Sequence, residues 1–195
     1  EGGEDKTYMI VRRTINGMTK RYVERMNWDG YQDCRVTKTP GSATVTGLGH
    51  LAGVTVSAVA DGVDLGNFTV TAGGEITLPR SAATVTVGAR FTPLIRLLPP
   101  EFGTGMGAAA GKRVMTGQTK VLFKDTIGCN VNGQPLAFRE FGEDVLDSAV
   151  TAFSGWKDIS DFGWSVDAGE VEISQPQSYP WTVLAVVRRV SANPG

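Results

Sequence analysis

The sequence holds three residues of the types that build His/Cys metal sites, His50, Cys34 and Cys129, all far apart in the chain. Sites of that kind need three or four such ligands, so no metal is expected. His50 lies in Leu48-Gly49-His50-Leu51, between apolar residues at a turn, and reads as structural. No Gly-x-Ser-x-Gly elbow supplies a nucleophile for it. The two cysteines read as buried free thiols. Residues Gly107-Ala108-Ala109-Ala110-Gly111-Lys112-Arg113 approach a phosphate loop but hold three residues between the glycines where four are needed. Arg113 also stands where a magnesium-binding Ser or Thr belongs. Gly103, Gly105 and Ala108 fit a loose dinucleotide fingerprint, yet Pro99-Pro100 precedes them where a strand is required. No cofactor is expected. The carboxylates Asp158, Asp161, Asp167 and Glu170 do not have the spacing of a calcium loop. An acid/base pair among them would make a β-fold hydrolase, the weakest of the readings considered. The chain is expected not to be an enzyme, with no catalytic residue.

The remaining chemistry is charge. Arg12, Arg13, Lys20 and Arg21 crowd one short stretch around Asn16-Gly17. Between residues 140 and 172 there are nine acidic side chains and one Lys. The rest of the chain carries eighteen basic and eleven acidic residues. A basic end and an acidic end on one body favour head-to-tail or ring contacts between copies, with Asp158 and Asp161 as candidate contacts. Solvated surface charge is the alternative at both ends. The net charge of −1 excludes a general polyanion binder.

The elements that must position these charges are strands. The chain has 195 residues, 41% of them hydrophobic, with 25 Gly and few helical runs. That is a globular, β-rich composition with many tight turns. No apolar run approaches the ~18–20 residues of a spanning helix, so no membrane partner is expected. Tyr8 to Arg13 and Arg21 to Met26 flank Asn16-Gly17, the strongest two-residue hairpin signal. That turn sets Ile10 opposite Val23, Val11 opposite Tyr22, Arg12 opposite Arg21 and Arg13 opposite Lys20. Four like charges near one tip call for acidic contacts, from this chain or from a neighbour.

Residues 41–100 hold short runs of period two separated by Asp61-Gly62, Gly73-Gly74 and Gly88, which predicts a small barrel or sandwich. Gly73-Gly74 is expected to join two strands as a tight hairpin. Residues 101–118 read as a Gly/Ala-rich linker or loop. A strand is expected over 119–125, a loop-rich stretch over 132–165, and a strand buried on both faces over 181–190. The prediction is an all-β chain with a small β-barrel at 41–100. The barrel is inserted into, or appended to, a second β-sandwich-like domain built from residues 6–40 and 119–195.

The stretch Ile10-Val11-Arg12-Arg13-Thr14-Ile15-Asn16-Gly17, with Lys20-Arg21-Tyr22-Val23-Glu24-Arg25-Met26, is similar to tail and neck structural proteins of short-tailed bacteriophages. In those proteins it leads into a small β-unit resembling the first catalytic-cysteine half-domain of ubiquitin-activating enzymes. The run from Val45 to Val56, Ala60-Asp61-Gly62, Ile76-Thr77-Leu78-Pro79, Val87-Gly88 and Phe91-Thr92 resemble that unit. Pro180 to Val186 resembles the same proteins' last strand. The resemblance implies a virion structural protein of a tail tube, nozzle or head-stabilising ring. It also implies a homo-oligomeric ring, other tail or neck proteins as partners, DNA passing through the ring, and a larger part before Glu1. It does not imply ubiquitin chemistry, since residues 41–100 contain no cysteine. The principal alternative is a carbohydrate-binding host-adhesion module, with Trp156, Trp164 and Trp181 as a stacking platform. Core packing is the competing role for those rings.

Overall fold

A computed structural model describes residues 5–15, 17–27, 30–100, 103–104, 107–108, 114–138, 150–160, 164–165 and 170–192. The chain is all-β, and the described residues contain no α-helix. It divides into two units, Glu1–Phe91 and Thr92–Gly195.

The first unit contains β1 (Tyr8–Ile15), β2 (Met18–Arg25), β3 (Asp33–Lys38), β4 (Thr44–Val45), β5 (Thr55–Ala60), β6 (Val63–Thr69), β7 (Ile76–Thr77) and β8 (Val85–Ala89). Strands β1 and β2 pair in the register set by the two-residue turn, with Gly17 in the left-handed region at φ +75°. Asn16 lies outside the described residues. Strands β3, β8, β5 and β6 form an antiparallel sheet in that order, and β4 pairs with β7. Alternation along β5 and β8 turns Val56, Ala58, Ala60, Val85 and Val87 into a core completed by Val45, Leu48, Leu51, Val70, Ile76 and Leu78. Each fully buried Val or Leu contributes about 1.5–3 kcal/mol. The sheets do not close, so the expected barrel is instead an open sheet with a small two-stranded companion.

Two boundaries differ from expectation. Strand β3 lies within residues 6–40, yet it pairs with β8, and Gln32 donates to the Ser57 carbonyl at 2.9 Å and its hydroxyl at 2.7 Å. Residues before 41 therefore belong with the first unit, and residues 41–100 are not a closed insertion. The tight hairpin falls at Asp61-Gly62, where both residues have positive φ and Ala60 pairs with Val63. The Gly73-Gly74 turn links β6 to β7 without pairing them, since β6 bonds to β5 and β7 to β4.

The second unit contains β9 (Leu94–Arg96), β10 (Gly103–Thr104), β11 (Gly107–Ala108), β12 (Val114–Thr126), β13 (Cys129–Val131), β14 (Gln134–Leu136), β15 (Phe153–Ser160), β16 (Trp164–Ser165), β17 (Glu172–Ser174) and β18 (Val183–Ala192). The long β12 pairs with β15 and β16 and also with β18. A second sheet runs β14-β13-β17-β9. Val121 and Phe123 from the first sheet share one core with Cys129, Val131, Val171 and Ile173, a sandwich-like arrangement. Phe138 packs edge-on against Phe123 and Phe153, with ring centroids 5.2 and 5.6 Å apart.

Three more expectations are corrected here. The linker at 101–118 ends early, because β12 already begins at Val114; residues 101–102, 105–106 and 109–113 lie outside the described residues. The stretch 132–165 holds the eight-residue strand β15, whose alternating burial marks one face on the core. Strand β18 is not buried on both faces, because Leu184 and Val187 are 57% and 54% exposed. Its only strand partner among the described residues is β12, so its outer side chains face away from the core.

Candidate functional site

The β1–β2 ribbon has two unlike faces, because residues paired across an antiparallel ladder point to the same side. Val11, Arg13, Tyr22 and Glu24 share the inner, half-buried face. Tyr8 and Arg25, Ile10 and Val23, Arg12 and Arg21, and Thr14 and Thr19 form the outer face in four rows.

The inner face is a clamp. The Arg13 guanidinium grips Glu24 with both forks, Nε to Oε1 and Nη2 to Oε2, each at 3.0 Å. Its Nη2 also lies 3.3 Å from the Asp33 carboxylate. The Cys34 thiol donates to Glu24 Oε1 at 2.9 Å. Cys34 sits at a bulge where the β3–β8 register shifts, with φ +52°, and this turns its side chain toward the ribbon. The Tyr22 hydroxyl donates to the His50 carbonyl at 3.0 Å, and His50 Nε2 lies 3.3 Å from the Cys34 carbonyl. The hydrogen bond from Arg13 holds the Glu24 carboxyl below its ordinary range. Burial, followed by the bond to Glu24, pushes the Cys34 thiol up to about 12. The thiol is thus a protonated donor at neutral pH and not a nucleophile. An open cavity of about 570 Å³ borders the clamp, lined by Tyr22, Glu24, Arg25, Gln32, Arg35 and His50 among others.

The outer face is unmatched. Tyr8, Ile10 and Val23 are 61%, 78% and 74% exposed, a contiguous apolar centre. Arg25 borders it at one end and the Arg12–Arg21 pair at the other, and no carboxylate lies on this face. Among the described residues, neither strand pairs with a third strand, and Arg12, Arg21 and Arg25 form no ion pair.

The charged residues singled out from the sequence therefore separate. Arg12 and Arg21 sit opposite each other on the outer face. Lys20 is exposed opposite Arg13, which is taken up by the inner clamp. Asp158, in the second unit, already pairs with Lys120 at 3.1 Å, and Asp161 lies outside the described residues. The sequence reading missed the apolar rows beside the arginines. Its own register, which put Ile10 opposite Val23, carried that signal. It also missed Glu24, Asp33 and Cys34, whose meeting depends on the bulge in β3.

Of the tryptophans, Trp156 is 49% exposed on the outer face of its sheet, in one row with Leu122 and Ala185. Trp181 packs against the second core, so it does not join Trp156 in a platform; the Trp164 side chain lies outside the described residues. Both cysteines are free, and Cys129 is buried. Among the described residues no three His, Cys, Asp or Glu side chains are grouped to hold a metal ion, and no helix is long and apolar enough to cross a membrane. No protein-family model matches the chain, and a search of curated proteins finds no match.

Proposed function

We propose that the chain is a non-enzymatic structural component of a bacteriophage virion, in the tail or neck, working in a homo-oligomeric ring. The observation that carries this reading is the outer face of the β1–β2 ribbon. Three large side chains there are more than half exposed in the middle of a clamped, eight-residue-per-strand ribbon. A two-stranded ribbon is marginal alone, and this one is held by the Arg13–Glu24–Asp33 cluster. An apolar face held in place and left uncovered suits a protein that is buried by assembly. The similarity of residues 8–26 and 45–92 to short-tailed phage proteins supplies the setting. Other tail or neck proteins are then its neighbours, and DNA passes through the ring. Native mass spectrometry and electron microscopy of the purified chain, from micromolar to millimolar concentration, test this. Closed rings are expected, and a chain that stays monomeric throughout that range counts against the reading.

A second reading, a carbohydrate-binding adhesion module, is favoured by Trp156, an exposed indole beside the Lys120–Asp158 pair. Loss of glycan-array binding in Trp156→Ala, with an unchanged circular dichroism spectrum, supports it; an array with no hits removes it.

A further inference from the structure

We propose that the outer face of the β1–β2 ribbon binds the acidic segment of residues 140–147 from a second copy of this chain. This rests on the oligomeric reading above and names the partner of that face. The ribbon offers Tyr8, Ile10 and Val23 between Arg25 and the Arg12–Arg21 pair. Arg12 and Arg21 stand directly opposite each other, an unfavourable like-charge pair that an anion between them relieves. Two carboxylates beside the ribbon are already taken. Glu24 and Asp33 are engaged by Arg13 on the inner face.

The densest run of matching chemistry in the sequence lies at residues 140–147. Residues Glu140-Phe141-Gly142-Glu143-Asp144-Val145-Leu146-Asp147 combine four carboxylates and no cation with Phe141, Val145 and Leu146. They lie outside the described residues, and their part here is read from composition alone. Farther along the acidic stretch, Asp158 already holds Lys120 and Glu172 holds Arg96, while Asp161 and Asp167 lie outside the described residues. The segment thus mirrors the ribbon, with acids where the ribbon has arginines and apolar side chains in both. A net charge of −1 lets copies approach without repulsion. A contact between two different surfaces is heterologous, and repeated about an axis it closes a ring. The apolar centre sets this face apart from a nucleic-acid site, where affinity comes from many phosphate contacts.

The test uses the full chain at physiological salt, with assembly followed by native mass spectrometry and sedimentation velocity. Arg12→Glu/Arg21→Glu and Glu143→Arg/Asp144→Arg should each raise the assembly midpoint about tenfold or more. Circular dichroism should stay unchanged for Arg12→Glu/Arg21→Glu, since both side chains are exposed on the outer face, and it serves as the folding control for Glu143→Arg/Asp144→Arg. Mixing the two variants should restore mixed oligomers. Ile10→Ser should weaken assembly with charge untouched. Rings that survive both reversals overturn this inference and leave the oligomeric reading standing. A wild-type chain that never assembles overturns both. Rescue confined to the quadruple variant, at monomer mass, overturns it by placing the contact within one chain. Duplex DNA binding lost on Arg12→Glu/Arg21→Glu, with assembly intact, overturns it in favour of nucleic acid.

Discussion

Glu24 accepts from three donors, the two forks of Arg13 and the Cys34 thiol, and every one of them requires its charge or its lone pairs. Glu24→Gln keeps the shape, loses the charge and turns one acceptor into a donor facing Arg13. We expect it to destabilise the first unit by about 1–3 kcal/mol, read from the urea midpoint. The pH dependence follows from the same contacts. Arg13 depresses the Glu24 carboxyl from its ordinary 4.5, so its contribution is present above about pH 4.5 and lost as pH falls through the folded value. Acid should therefore lower the melting temperature of wild type more than that of Glu24→Gln. Cys34 runs the other way. Its thiol is raised from 9.0 to about 12, so its contribution is full below pH 9 and lost as pH rises toward 12. Burial raises Cys129 to about 12 as well. Neither thiol should react readily with Ellman's reagent at pH 8 until denaturant is added. Rapid labelling of the native chain would show that the clamp is open in solution.

Close approach of backbones decides where an element tolerates change. A Cβ on Gly74, at φ +76°, would lie 2.6 Å from the Gly49 nitrogen, where the 71–75 turn meets the 3₁₀ turn Gly49–Leu51. Gly74→Ala should cost about 2–4 kcal/mol, combining left-handed strain and overlap. Gly41→Ala also has positive φ but open space around it, so only about 1 kcal/mol is expected. Equal melting temperatures for the two variants would contradict this packing. Strands of this kind were legible in the sequence wherever turn chemistry and period two coincided, as at β1–β2 and β5–β8. Asp61-Gly62 was seen as a spacer but not as the hairpin turn, because nothing local says which of two Gly-bearing turns joins paired strands. Sheet closure was not legible, since it depends on which distant edges meet. The start of β12 was hidden because Met115, Thr116 and Gly117 follow a glycine- and alanine-rich run. Strand β18 misled because a continuous apolar run fits an edge strand with an uncovered face as well as a buried one. Of the candidate site, the cationic outer row was legible from the turn register. The clamp was not, because Cys34 reaches Glu24 only through a bulge.

The molecule divides at Phe91 and Thr92, between β8 and β9, and not at residue 41. Separate chains 1–91 and 92–195 should each give a β-type circular dichroism spectrum and a cooperative melt. Deleting residues 41–98 should unfold the remainder, since it removes the β8 partner of β3 and the β9 partner of β17. A folded deletion product would restore the insertion architecture. The strand β12, paired with β18 from Val114 to Phe123, has a consequence for the order of biosynthesis. The first unit contains all its own strands by Phe91, so it can fold while the rest is still being made. The second cannot, because β12 leaves the ribosome about 60 residues before the strand that completes its ladder. Until residues 183–192 emerge, a thirteen-residue strand waits with an uncovered edge, the kind that recruits chaperones or pairs with the wrong chain. A premature stop before Val183 should therefore yield an aggregating product with a sound first unit, one that the cell would have to clear.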